Sequence, residues 1–538
     1  MTMPSVKING ASRVLIVLVA CALSIAACET YYFRANYRDV NQLLHLDHGP
    51  RAKLYLKAHL KNGDVCILRD SWEIDTSRSV LSGTGTRFDM HRLLLHEGAM
   101  TIAIDSIAII ETNRKLLGTE SDRVTALSIV AGVDLVVAIA CLSNPKACFG
   151  SCPTFYMNEN DNIHFADAEG FTHAILPSME YGDVDALHND VITGSQFSLT
   201  MKNEARETHC VSDVLLLAYP REKGERVYHS RNDEYYLCGT QYALSAATGP
   251  EGDVSSKLKH RDRTERFSLA DSSDLCSREA VYVNFDRVAE HENLGLVLTY
   301  RQTLMTTYLF YSAMGYMGDE VGDMFALLET RSETRKTFDT AARLLGEIEV
   351  FVWDENRDSW QRQGAIYESG PIASNLQILP LVTAPSNSRV RLKLVMNKGL
   401  WRIDHVALAS IKAKVNPVRI QPTMVTSRGV VDDAALAALL APDRHLISMP
   451  GSAYRITFPL PVGGRDYELF LYSKGYYLEW MREKWLQEKD LRKLAQMVAS
   501  PRNYLREEAA AYKVYEETME QLFWDSRIDT KALSYHEE

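Results

Sequence analysis

The sequence lacks the short motifs that announce most enzymes. No H-E-x-x-H, G-x-S-x-G, G-x-x-x-x-G-K-[ST] or G-x-G-x-x-G occurs in its 538 residues, so the zinc-protease, hydrolase, P-loop and dinucleotide readings have no starting point. His96-Glu97 and His291-Glu292 each lack the second histidine of a zinc-binding helix. Blocks of basic residues interleaved with aromatics are missing as well. Lys plus Arg number 59 against 70 Asp plus Glu, a net charge of −11, which disfavours a nucleic-acid partner. Proline and glycine are few, 17 and 29, while 46% of residues are hydrophobic and 24% charged. That composition excludes a disordered or collagen-like chain, and the length exceeds what one core holds. Long apolar runs are confined to two places, which excludes a polytopic membrane protein.

The first run fixes an expected compartment. Lys7 and Arg13 precede the apolar stretch from Val14 to Ala22, and small residues follow, the order of a secretory signal. The stretch ends in Ile25-Ala26-Ala27-Cys28, which resembles the lipobox of bacterial lipoproteins. The resemblance implies that residues 1–27 are a signal peptide and that Cys28 is acylated, palmitate included, as the mature N-terminus. Glu29 stands where inner-membrane retention typically uses Asp, which implies an outer-membrane lipoprotein facing the periplasm or the cell surface. Several acyl chains make a durable anchor, since each buried methylene is worth ~0.8 kcal/mol and one chain alone is marginal. Cleavage removes Lys7 and Arg13 and no acid, so the mature surface is more acidic still and is not drawn to anionic lipid.

Nine cysteines occur, at 21, 28, 66, 141, 148, 152, 210, 238 and 276. Without Cys21 and with Cys28 lipidated, an odd set of seven remains; in an oxidising compartment some are expected to pair and at least one to be left over. Cys148 and Cys152 flank a Phe-Gly-Ser turn beside Pro153. Their C-x3-C spacing is neither the redox nor the zinc C-x2-C, and no second pair matches it. We read them as a local structural disulfide, with free buried thiols, half a metal site and a redox role as the alternatives. No pattern calls for a metal or other cofactor.

Residues 28–50 carry no sustained period and read as a linker. In the segment 52–115, Leu54, Leu56, Ala58 and Leu60 alternate with polar residues, Asn62-Gly63 supplies a hairpin turn, and Val65 and Ile67 resume the alternation. Strands over 79–86 and 100–111 complete a small β module, a barrel or half-barrel. Gly83-Thr-Gly85 reads as a turn or bulge rather than a phosphate loop, because neither a helix start nor Gly-Lys follows it. The second apolar run, 124–142, carries Asp134 near its middle. An ionised carboxylate there costs ~2.5–3.5 kcal/mol in a bilayer, so a hydrophobic helix buried in protein is favoured over contact with the membrane surface or a span.

A β-rich domain is expected over 150–300. Gly150-Ser-Cys152-Pro-Thr-Phe-Tyr156, Ala168-Glu169-Gly-Phe and Asn203-Glu204-Ala-Arg-Glu207-Thr208-His209 with the apolar run 211–217 resemble an arrangement found in bacterial secreted proteins and lipoproteins of unknown function. That resemblance implies a β-rich body and transfers no activity; the chain departs from it at Cys210. Glu204, Glu207 and His209 admit a catalytic or metal reading, against a turn whose carboxylates accept backbone N–H groups. Residues 221–275 alternate in charge sign, notably from Lys257 to Arg266, and read as solvated surface. A helical segment is expected over 303–345, its Tyr and Met residues serving as core.

Over 347–415 the alternation is clearest: Ile348, Val350 and Val352 face one way, Glu349, Phe351 and Trp353 the other. Further strands over 376–381, 389–396 and 401–408 make this an antiparallel β-sandwich module. Its closing Ile403-Asp404-x-Val406-x-Leu408 resembles the last strand of galactose-binding-like jelly rolls, which implies a sugar or protein ligand. Neighbouring strand residues point to opposite faces, so Asp404 and His405 cannot form a dyad. The region 430–527 is mixed: Asp432 caps a helix to Leu440, strands follow over 454–459 and 467–472, and helices are expected over 475–498 and 504–524.

The fold class is therefore mainly β, of the α+β kind. The expected function is non-catalytic: a lipid-anchored envelope protein that binds a partner protein or envelope component. A carbohydrate-binding or carbohydrate-processing lipoprotein is the alternative, marked by exposed Trp and Tyr beside paired carboxylates.

Overall fold

A computed structural model describes residues 32–37, 56–60, 64–75, 77–88, 94–115, 152–157, 166–175, 179–187 and 195–519, the last with breaks at 206, 232, 290–292, 319–343, 368–369, 383–387, 443, 449–450, 461–465 and 480–487. The signal segment with Cys28, the hydrophobic run 124–142 and Cys148 lie outside the described residues. The chain divides into two compact units, one over 1–89 and 93–128, the other over 90–92 and 129–538. Both described units are dominated by antiparallel strands, with a few helices toward the C-terminus. No helix among the described residues is long and apolar enough to cross a membrane.

The first unit is a six-stranded sheet in the order 32–37, 107–115, 56–60, 65–75, 80–88, 94–103. Leu56, Ala58 and Leu60 are buried as their alternation predicts. In the next strand Cys66 and Leu68 are buried and Ile67 between them is half-buried, one register off the expectation at Ile67. The last two strands in sequence lie four places apart in the sheet, yet only the turn Ile104–Ser106 joins them. In a flat sheet those places are ~19 Å apart. Four Cα steps reach only ~14 Å. The sheet must therefore curl, which makes the module the half-barrel of the two expected forms.

Among its described residues the second unit holds four sheets. One runs 430–431, 424–427, 453–459, 196–202, 154–156, 168–169; another runs 418–420, 207–220, 467–479, 181–187, with 446–448 also on 207–220. Leu199, Met201, Ile456 and Phe458 from the first meet Val214, Leu216, Leu469 and Leu471 from the second in one core, a sheet-on-sheet sandwich. Strands 226–230, 234–243, 401–415, 294–302 and 375–380 close into a barrel. A further six-stranded sheet runs 252–253, 246–249, 278–286, 389–397, 348–354, 359–366. The expected segments 150–300 and 347–415 thus share both the barrel and this last sheet, so the jelly-roll-like strands 401–415 and 389–397 lie in different sheets.

Helix Met305–Met317 begins the expected helical segment and buries Tyr308, Met314 and Met317 as core. Asp432 caps helix Asp433–Leu440 as expected, its carboxylate accepting the Ala435 N–H at 2.8 Å. The expected helix over 475–498 is corrected at its start. Strand Tyr467–Glu479 runs through those residues because its ladder with 207–220 continues there, 476–479 lying opposite 207–210, and ladder pairing outweighs a helical stripe. Helices follow at Leu491–Ala499, Pro501–Glu507 and Ala509–Glu516.

Candidate binding face and buried polar groups

In strand Ile348–Asp354, Ile348, Val350 and Val352 are buried, so Phe351 and Trp353 stand on the opposite face. Strand Arg389–Asn397 buries Val390, Leu392, Leu394 and Met396 and turns Arg391 and Lys393 the same way as those rings. From Arg278–Asp286, Tyr282 joins them with 43% of its surface exposed. Register then assembles two rows across the sheet. Tyr282 lies opposite Lys393, Lys393 opposite Phe351, and Phe351 opposite Arg362. In the next row Asn284 lies opposite Arg391, and Trp353 opposite Trp360.

Rings and cations alternate on this face and touch. The Lys393 ammonium sits 4.6 Å from the Phe351 ring centre and 5.1 Å from that of Trp360. Arg391 lies 4.8 Å over Trp353, which meets Trp360 edge-on at 5.3 Å. Trp360 also leans to within 5.7 Å of Tyr282. Glu349 accepts from Arg278 and, at 3.4 Å, from Arg362; Glu355 accepts from Arg391 at 3.0 Å. Solvent-facing ion pairs of this kind contribute ~0–1 kcal/mol each and exposed cation–π contacts ~0.5–1 kcal/mol. These polar contacts therefore add little stability, and the half-buried rings of Phe351, Trp353 and Trp360 beside the exposed Tyr282 keep surface to offer a partner. The arrangement can stack flat apolar surfaces and pair with anionic groups, the residue types that dominate binding hot spots. A second concavity, of about 610 Å³, lies beside the barrel and is walled by polar groups including Glu225, Gln241, Asn293 and Lys412.

Glu204, Glu207 and His209 are all buried, Glu204 against hydroxyls and Glu207 against His209. Glu204 accepts from Thr154 Oγ1 at 3.0 Å and Tyr156 OH at 2.6 Å, side-chain hydroxyls where a turn would supply backbone N–H groups. Glu207 and His209, two apart on strand Glu207–Pro220 and hence on one face, pair at 2.9 Å with both side chains fully buried. Asn203 fastens the approach to this strand, donating to the carbonyls of Glu207 and Ser448, each at 2.9 Å. Among the described residues no group of three His, Cys, Asp or Glu side chains is placed to hold a metal. Asp404 is skipped by the pairing of its strand, which shifts register between Tyr300–Ile403 and Thr299–His405. Asp404 is buried, accepting the Asp262 N–H at 3.4 Å, while burial and then the charges of Arg261 and His260 hold His405 at about 4 and so neutral at pH 7.

Cys152 is a buried free thiol whose Sγ donates to the Thr172 carbonyl at 3.5 Å; the other half of the expected bridge, Cys148, is not among the described residues. Among the described cysteines, Cys66, Cys152, Cys210, Cys238 and Cys276, no two are joined by a disulfide, so the expected pairing is not met among them. Burial first, then the charges of Glu169, Glu207 and Asp183, pushes the Cys152 thiol well above its usual value. Glu169 was visible in the sequence only as part of a resemblance. It accepts the N–H groups of Ile372 at 2.8 Å and Ala373 at 3.3 Å, while burial, with the Asp183 charge adding to it, pushes its carboxyl up to about 7. Gly370 permits this approach, since a Cβ there would stand 2.7 Å from the Glu169 carboxylate.

No family model matches the chain, and no curated protein matches it. Among solved structures, the secreted serine protease VesC from Vibrio cholerae is similar over 65% of this chain at 8% identity and a TM-score of 0.12. The GH31 α-xylosidase Xac1773 from Xanthomonas citri is similar over 83% at 6% identity and a TM-score of 0.14. The chain spans 63% of the first of these and 38% of the second. Likeness at that level transfers neither fold nor activity.

Proposed function

We propose that the protein is a non-catalytic, lipid-anchored component of the bacterial outer membrane that binds a partner protein or envelope component through the face carrying Tyr282, Phe351, Trp353, Trp360, Arg391 and Lys393. The observation that carries this reading is the alternation of rings and cations across four strands, whose cation–π contacts contribute little to folding. The lipobox-like Ile25-Ala26-Ala27-Cys28 supports the anchor. The carbohydrate reading draws on the same rings, because an aromatic face stacks on a sugar; the carboxylates of this face, however, are taken up by arginines.

A photo-crosslinking residue at position 282, tested in intact cells, checks the face directly. The expected outcome is a discrete adduct that is absent when the same residue replaces exposed Val514, and that falls about thirtyfold in Trp353→Ala/Trp360→Ala, the loss of one hot spot of ~2 kcal/mol. Equal adducts at both positions, indifferent to the tryptophans, would sink the reading. Competition by soluble oligosaccharides would move it to the carbohydrate alternative. Cys28→Ala should shift the protein from the membrane pellet to the soluble periplasm, and a mutant that stays with membranes after alkaline extraction is anchored by 124–142 instead.

A further inference from the structure

The curled sheet of the first unit leaves room inside it. Its inner face buries Leu56, Ala58, Leu60, Cys66, Leu68, Leu81 and Ile102. On strand Val80–Phe88 the positions sharing that face with Leu81 are Gly83, Gly85 and Arg87, since directly paired residues point the same way and Gly85 pairs with Leu68, Arg87 with Cys66. Two of the four inner positions thus contribute no side chain. At Gly85 none fits, because a Cβ would lie 1.9 Å from the Ile67 carbonyl oxygen. The Gly83-Thr-Gly85 pattern sits in a strand, where Gly85 lets the Ile67 backbone of the next strand approach closely.

A cavity of about 330 Å³ opens in this unit, walled by Leu60, Cys66, Met100 and Ile102, with Arg87 among its lining. Arg87 stands on an otherwise apolar face, opposite Cys66, and reaches out with its head: the side chain is 41% exposed. Its Nε and Nη2 both donate to Asp64 Oδ2, at 3.0 and 2.5 Å. The guanidinium fork has five N–H donors, so the edge turned from Asp64 still has donors to offer. A chamber walled mainly by apolar side chains, with Thr101 and Ser106 also in its lining and one outward-reaching cation, suits a ligand with one apolar tail and one anionic head. At ~30 Å³ per water-sized group the volume takes about eleven heavy atoms, enough for an eight-carbon carboxylate and too few for a two-chain lipid.

We propose that the cavity of the first unit binds a single medium-length acyl chain with an anionic head, its carboxylate held by Arg87 and its tail between Leu60, Met100 and Ile102. Charge-assisted bonds from the fork orient the head, and the flexible Met100 adapts to the tail.

Calorimetric titration of the full chain with octanoate and with octanol tests this. Saturable one-to-one uptake of octanoate is expected, and Arg87→Gln should weaken it at least tenfold while leaving octanol unchanged. A second readout needs no variant: Cys66 lines the cavity, so saturating octanoate should slow its alkylation severalfold under native conditions. No saturable uptake by the natively folded protein overturns the proposal, as does Arg87→Gln weakening octanol equally. Sedimentation with phosphatidylglycerol vesicles separates the sources of such a chain: displacement of bound octanoate by vesicles identifies a membrane lipid tail, and its persistence identifies a free fatty acid. Vesicle binding without octanoate uptake overturns the cavity site.

Discussion

Titration of Glu169 should make the second unit less stable as pH rises through neutrality. The carboxyl is buried, and its folded-state value is about 7 against 4.5 for the free side chain. Below pH 4.5 both folded and unfolded chains hold the proton and nothing is lost. Between 4.5 and 7 the unfolded chain releases it first, so stability falls; above 7 the loss levels off. At ~1.4 kcal/mol per pH unit over that interval the penalty is on the order of 3 kcal/mol. Glu169→Gln resembles the protonated form: its amide oxygen can still accept the Ile372 and Ala373 N–H groups, and it does not titrate. For a unit of roughly 400 residues, with an unfolding entropy of ~2 cal/mol/K per residue, the variant should melt about 4 °C above the wild type at pH 8 and within a degree of it at pH 5. Scanning calorimetry from pH 5 to 8.5 reads both curves. Asp183→Asn supplies a check on cause, because removing that charge should move the wild-type decline to lower pH. Parallel curves for wild type and Glu169→Gln would refute the reasoning.

Two further outcomes follow from buried polar groups. Arg266, whose side chain is fully buried, donates to Glu279 at 2.5 Å and to the 39% exposed Glu251 at 2.9 Å; Arg266→Leu strands the buried Glu279 and should cost ~3–5 kcal/mol by denaturant midpoint, Glu251→Gln under ~1 kcal/mol. Glu508 accepts from Tyr308 OH at 2.6 Å and Tyr316 OH at 3.3 Å; Glu508→Ala leaves both hydroxyls without that acceptor and should cost ~3 kcal/mol, whereas Glu508→Gln retains one and should cost about 1 kcal/mol, near-ultraviolet circular dichroism reporting the tyrosine environment.

Local periodicity carried as far as single strands and caps. The alternation over 348–353 is the alternation of burial, and Asp432 does cap its helix, because both are decided within one element. Pairing between distant strands was beyond it: the barrel and the last sheet each draw strands from both sides of the segment 303–345. The charged stretch 257–266 marks the same limit. Its residues up to Thr264 are largely exposed as read, but Arg266 is fully buried because Glu251 and Glu279 converge on it from other strands and turns. Alternating sign predicts that charges find partners; burial depends on which partners the topology brings.

The binding face follows the same logic one step further. Phe351 and Trp353 were assigned to one side of their strand by the sequence, and Arg391 and Lys393 occupy the equivalent side of theirs. A period of two says which residues share a face and nothing about what covers it. Had strand 389–397 paired in the register one residue over, the cations would have gone inward and the leucines would have faced the rings. Register with a neighbouring strand therefore turns four separate outward residues into a row of Tyr282, Lys393, Phe351 and Arg362, and a binding surface built this way exists only at the level of the sheet.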